Sequence, residues 1–211
     1  MIAILQQIVE SPQLHARWLN TLSFMENMGA RKISACEHPY TTDIIQLKHA
    51  AEEHRHAYYL KKQIEKVAPN SCKYYCLDDL LGKIHTRQYL HTLDVLCSRY
   101  LKTHFNVSGN DLKYASYLFV TYAIEVRADE LYPKYQEVLT KNNAKVMVKS
   151  IILEEEGHLE EMIAQLEKFR PDWEQHAQAM QAIEQDLFEQ WFAAISKEVL
   201  ALVDKTIEHT I

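Results

Sequence analysis

Chain-breaking residues are scarce: the 211 residues hold only four glycines and five prolines. Sandwiches, barrels and doubly wound sheets need more turn punctuation than that, so the chain reads as all-α, built from long helices. With 47% hydrophobic and 25% charged residues it has an ordinary globular composition, which excludes long disorder. Its length suits one large domain, and no stretch rich in Pro, Gly or Ser divides it, so residues 1–211 read as a single domain. The net charge of −6 weighs against a nucleic-acid or anionic-membrane surface. No apolar run approaches the roughly 20 residues that span a bilayer. The first residues, MIAILQQIVESPQLHARW, resemble neither a secretory signal nor a transit peptide. Cys36, Cys72, Cys76 and Cys97 form neither a disulfide framework nor a zinc-site spacing, as expected of reduced thiols in a cytoplasmic protein.

The remaining punctuation predicts six helices. The first starts at Ser11-Pro12 and ends near Cys36, before His38-Pro39. The second covers about 42–68, capped by Thr41 or Thr42 and closed by Ala68-Pro69-Asn70. A link over 71–76 leads to a third at about 77–105, and a loop around Gly109 leads to a fourth at about 111–140, which Pro133 kinks or shortens by its last turn. The fifth spans about 144–169 and the sixth about 172–208, opened by Arg170-Pro171-Asp172. Such periods without heptads suit a bundle rather than an extended coiled coil.

The second and fifth helices repeat one another. Residues 52–67, EEHRHAYYLKKQIEKV, align with 154–169, EEEGHLEEMIAQLEKF, at a constant offset of 102. Amphipathic helices rich in Glu, Lys and Leu converge by chance, but a histidine at the same place in the same carboxylate cluster favours a duplicated helical hairpin. Each copy contains Glu-x-x-His, Glu53 to His56 and Glu155 to His158. Three residues turn a helix by about 300°, so carboxylate and imidazole share a face and can chelate one ion. Steps of three and four from Glu53 reach Ile45, His49, Leu60 and Ile64, whereas those from Glu52 reach Lys48, Arg55 and Tyr59. Glu155 lies with Ile151, Ile152, Leu159 and Met162. Both motifs therefore point into apolar stripes, where an ionised Glu needs positive compensation. Glu26 and Glu125 lie on apolar faces of the preceding helices, 27 and 30 residues before Glu53 and Glu155. That spacing suits antiparallel helices meeting near their middles. Four carboxylates balance two divalent ions, and an oxygen-rich set with one imidazole per ion suits iron or manganese better than structural zinc.

At these residues the sequence resembles the ferritin-like di-iron carboxylate superfamily, which includes rubrerythrins, ferritins and di-iron hydroxylases. The resemblance covers roughly 12–68 and 111–169 and consists of Glu26, Glu53-x-x-His56, Glu125 and Glu155-x-x-His158. It implies an antiparallel four-helix bundle with Glu53 and Glu155 bridging two ions and Glu26, His56, Glu125 and His158 as terminal ligands. The ions would be two Fe, with Mn or a mixed Mn/Fe pair as alternatives. The helices at 77–105 and 172–208 are additions that wall a pocket or form a homodimer interface, or, for the first of them, serve as a crossover.

The resemblance implies a di-metal oxidase or oxygenase acting on a small organic substrate with O2 or peroxide. A ferroxidase or iron-handling protein would use the same ligands, and a metal-free interaction bundle would pair its carboxylates with Lys or Arg. Several neighbours have both a functional and an ordinary reading. Gly29 and Gly157 either leave room beside the site or are tolerated defects. His49 orients a ligand or is a satisfied core histidine. Asp129 accepts from a ligating histidine or is solvent-exposed. Tyr122 is oxidisable near the metals or simply packed.

Overall fold

The computed structural model describes residues 1–208, with side chains through residue 204. Among the described residues every regular element is helical: α1 (Ile2–Glu10), α2 (Pro12–Ala35), α3 (Ile44–Val67), a 3-10 turn (Leu77–Asp79), α4 (Lys83–Phe105), α5 (Gly109–Lys141), α6 (Lys149–Phe169) and α7 (Trp173–Glu208). None of the described helices is long and apolar enough to cross a membrane.

Local chemistry sets the boundaries, and some differ from the sequence-based expectations. Ser11 caps α2 as its spacing predicts, its hydroxyl accepting from the Leu14 amide at 3.4 Å, with Pro12 in the first turn. The nine residues before it, Ile2–Glu10, form α1, a helix beyond the six that the sequence predicts; Leu5 and Ile8 are buried and hold it to the core. The cap of α3 is Asp43, which accepts from the Ile45 amide at 2.7 Å, rather than Thr41 or Thr42, whose hydroxyls turn back to His38. The third helix begins six residues later than expected, because Gly82 adopts a left-handed φ of 71° at its start. A Cβ there would lie 2.9 Å from Ile195, so both conformation and space require glycine. The fifth predicted helix, α6, starts at Lys149 instead of 144, and α5 runs through Pro133. The link before α4 docks on α2: Asn20 donates to the carbonyls of Tyr74 and Asp79, and the Leu81 amide donates to Thr21. Those bonds account for two polar residues buried on α2.

Apolar side chains form two separate cores. One gathers Trp18, Leu22, Leu60, Ile64, Tyr135, Ile151 and Trp191; the other gathers Ile33, Ala50, Leu93, Leu118, Met162, Leu166 and Met180. Trp18 and Trp191 stack at 6.0 Å in the first, and burial of each such side chain contributes about 1.5–3 kcal/mol. The order in which each helix visits the two cores gives its direction. α2 passes from the first to the second, α3 returns, and α4, α5, α6 and α7 continue the alternation. Successive long helices are therefore antiparallel, α2 pairing with α3 and α5 with α6, while α4 and α7 pack on each other and on α5. On α2, α3, α5 and α6 alike, the residues between the two cores are the predicted glutamates and histidines. The fold is two apolar blocks with a thin polar layer between them.

Candidate metal centre

That layer holds all six residues singled out from the sequence. Their ligand atoms form two overlapping groups, Glu26–Glu53–His56–Glu155 and Glu53–Glu125–Glu155–His158, with the atoms of each group within 4.8 Å of one another. An ion about 2.0–2.2 Å from each ligand keeps those ligands within roughly 4.4 Å of each other, so each group is only slightly wider than one ion's shell. Glu53 and Glu155 belong to both groups. All but Glu26 are buried, and Glu26 is partly so.

The polar atoms facing the centre lack partners. His56 Nδ1, His158 Nδ1, Glu125 Oε2 and Glu155 Oε1 are sealed from solvent without a hydrogen bond. His56 Nδ1 lies 3.1 Å from Glu155 Oε1, close enough for attraction but without hydrogen-bond geometry. His158 Nδ1 lies 3.6, 3.7 and 3.5 Å from oxygens of Glu53, Glu125 and Glu155. Orphaned buried atoms cost about 1–3 kcal/mol each, and more when charged, a cost that positive charge among them, whether protons or a metal ion, would relieve.

The outward nitrogens, by contrast, are satisfied, and across the hairpins. His56 Nε2 donates to Glu154 of α6 at 2.7 Å, and His158 Nε2 donates to Glu52 of α3 at 2.8 Å. When the ring is neutral, each donation fixes the tautomer that leaves the Nδ1 lone pair aimed inward. Arg55 clamps Glu154 through both carboxylate oxygens, at 2.9 and 2.6 Å. The sequence reading missed both outer glutamates, placing Glu52 on the polar stripe and turning to Asp129 instead. Asp129 is exposed and makes no contact with either histidine. The aligned Glu-Glu pairs were the available signal: the second Glu of each pair joins the centre, and the first supports the other hairpin's histidine.

Without ions the cluster's charge is balanced by protons. Burial, reinforced by Glu26 and Glu155, pushes Glu53 well above the usual carboxylate range; burial and Glu155 do the same to Glu125. Burial opposes charge on His56, but Glu155 and Glu26 outweigh it and raise its pKa to about 9. For His158 burial is likewise outweighed, by Glu125 and Glu155, to about 11. Glu155 is driven low despite its burial, because His158 and His56 flank it.

Other neighbours fall on one side of their two readings. His49 is a satisfied core histidine: its Nε2 donates to Glu161 at 2.8 Å, Tyr117 donates to its Nδ1 at 3.1 Å, and its ring lies 4.6 Å from that of His158. Burial and the His158 charge lower its pKa. Tyr122 packs edge-on against Trp173 at 5.7 Å and has Gln181 as its hydrogen-bond partner, so it is not the tyrosine at the centre. That tyrosine is Tyr132, two turns after Glu125, whose hydroxyl donates to Glu26. A Cβ on Gly29 would lie 3.8 Å from Glu53 Oε2, whereas one on Gly157 would meet nothing within 4 Å, so Gly157 makes room for nothing. All four cysteines are free, Cys76 exposed and the others buried.

A cavity of about 90 Å³ reaches Glu26, Glu53 and Glu125 from the α2/α5 side. Leu22, Met25, Ile33, Val120, Ile124 and Leu131 make it apolar, and the two additional helices help to wall it through Tyr89, Leu90 and Trp191. Arg127 borders it, held by both oxygens of Glu184 at 2.9 and 2.8 Å and lying 3.8 Å over Phe188. No known protein family, curated protein or solved structure matches the chain.

Proposed function

We propose that the chain is a di-metal carboxylate oxidoreductase, an oxidase or oxygenase acting on a small organic molecule in a ferritin-like four-helix bundle formed by α2, α3, α5 and α6. The observation that carries this reading is the convergence of His56 Nδ1, His158 Nδ1, Glu125 Oε2 and Glu155 Oε1, all buried and all without partners. Glu53 and Glu155 would be shared between two ions, with Glu26 and His56 completing one shell and Glu125 and His158 the other. The donor set, mainly carboxylate oxygen with one imidazole nitrogen per ion, fits iron or manganese. When bound, such a pair supplies redox chemistry with O2 or peroxide.

The protein's own part is geometric and electrostatic. Glu154 and Glu52 hold the imidazoles in the tautomer that presents Nδ1 to the centre. The two apolar cores exclude water on either side of the polar layer. Tyr132 keeps a proton beside Glu26. The largely apolar lining of the cavity against Glu26, Glu53 and Glu125 suits a small, largely apolar substrate.

The first test is elemental analysis of protein purified without an affinity tag or chelator, beside a Glu53→Ala/Glu155→Ala double variant. The expected result is about two iron or manganese ions per chain, lost in the variant. Protein that is metal-free and also refuses Fe(II) added without oxygen would overturn the reading and leave the cluster as a proton-balanced structural layer.

A further inference from the structure

The cavity against Glu26, Glu53 and Glu125 is long and thin. Along α2 its wall runs from Leu22 to Ile33, and along α5 from Val120 to Tyr132, whereas α3 touches it only through Glu53. The eleven-residue step along α2 extends about 16 Å, some three helical turns. Over that length the cavity holds only about 90 Å³. An apolar cavity of roughly 150 Å³ takes a single benzene ring. Here a smaller volume is drawn out along the helices, so the bore admits a chain and not a ring.

Its two ends differ. In the first core it stops against Leu22, Leu131, Tyr132 and Trp191, none of them more than 5% exposed. At the other end, beside Ile33 and Val120, stands Thr121, 8% exposed and without a hydrogen-bond partner among the described residues. Thr21, Thr103 and Thr140 each donate to the carbonyl four residues earlier in their helices, and Thr121 does not. Its hydroxyl is not sealed in protein, and for a residue so deeply buried on this wall the space it opens on is the cavity. A hydroxyl withdrawn from water without a partner is unfavourable unless a ligand completes it. The cations on the wall are already paired, Lys32 with Asp94 and Arg127 with Glu184 at 2.8 Å. Glu26 and Glu125 face the cavity between its ends.

We infer that this cavity binds an unbranched, uncharged aliphatic molecule with a hydroxyl or carbonyl group at one end. The polar group meets the Thr121 hydroxyl, the tail runs toward Trp191, and an interior carbon of the chain lies beside the carboxylates. An anionic end group is disfavoured, because both wall cations are already paired and three carboxylates line the same space. As a statement about substrate this rests on the di-metal reading. As a statement about binding it does not, since neither Thr121 nor the apolar wall belongs to the centre.

The test is calorimetric titration of 1-hexanol and of cyclohexanol, equal in carbon number and different in width, into the protein with and without bound metal. Saturable binding of 1-hexanol is expected in both forms, with cyclohexanol at least about tenfold weaker. Thr121→Val keeps the shape and removes the hydroxyl, so it is expected to weaken 1-hexanol several-fold and keep the preference for the chain. Ala128→Leu fills the bore and is expected to abolish binding, with circular dichroism checking the fold of both variants. No saturable binding, equal binding of chain and ring, or undiminished affinity in Thr121→Val would overturn the inference. Chain-selective binding by protein that takes up no metal would count against the metal reading alone. Two ions per chain without chain-selective binding would count against this inference alone.

Discussion

Glu26 and Glu125 occupy equivalent places in the two hairpins, yet their surroundings differ. Glu26 accepts the Tyr132 hydroxyl and keeps 11% of its side chain exposed. Glu125 is 3% exposed, and one of its oxygens meets no donor. The outer shells are unequal in the same way. Glu154, which supports His56, is gripped by Arg55 through two hydrogen bonds, whereas Glu52, which supports His158, has Lys48 at 4.0 Å and Arg55 at 3.6 Å. The repeat thus supplied one set of side chains twice, and the packing around them diverged. The first half is braced by protein groups more fully than the second.

Substitutions at the shared and the private carboxylates test this comparison most directly. Glu53→Ala or Glu155→Ala removes a member of both groups and is expected to abolish binding of both ions, whereas Glu26→Ala or Glu125→Ala is expected to leave one, as read by metal content per chain. If all four variants lost the same amount, the division into two half-sites would fail.

The outer glutamates come next. Loss of such a partner typically costs about 10- to 100-fold in metal affinity. Glu154→Ala is expected near the top of that range and Glu52→Ala near the bottom, because only Glu154 is rigidly clamped. Competition with a chromogenic chelator measures both, and equal losses would show that the Arg55 clamp does not matter.

The pH dependence of stability distinguishes the protonated layer from the metal-loaded one. Both histidines have folded-state pKa values above the ordinary 6.5, about 9 for His56 and about 11 for His158. The folded chain therefore holds these protons more tightly than the unfolded chain does. Their stabilisation is complete below pH 6.5 and is lost as pH rises through about 9 and then about 11. Glu53 and Glu125, also raised, act with the same sign. The Tm of metal-free protein is expected to fall across that range while the metal-loaded form stays nearly level, since bound ions take the place of the protons. A level metal-free curve would break the proton-balance account.

The smallest effect concerns the two helical glycines near the centre. Gly157→Ala is expected to stabilise the protein by about 1 kcal/mol in urea denaturation, because helix propensity improves and nothing stands near the new methyl group. Gly29→Ala, whose Cβ would face Glu53 Oε2 at 3.8 Å, is expected to gain less.

Much of this was legible without coordinates, because it depends on local periodicity. The i, i+3 spacing within Glu53–His56 and Glu155–His158 places each pair on one face of any helix, and the apolar residues around them mark that face as interior. Glu26 and Glu125 could be found for the same reason. Element ends were less legible: Asp43 rather than a neighbouring threonine caps α3, and α1 depends on where Leu5 and Ile8 are received. The sequence by itself determined the helices and the six inward-facing side chains, since both follow from backbone geometry that repeats every few residues. Only the tertiary structure decided that Glu52 and Glu154 cross to the opposite hairpin's histidine, that Tyr132 rather than Tyr122 reaches the layer, and that an apolar cavity reaches the carboxylates. Those contacts join residues about a hundred positions apart, and the register between packed helices that sets them is written in no local period.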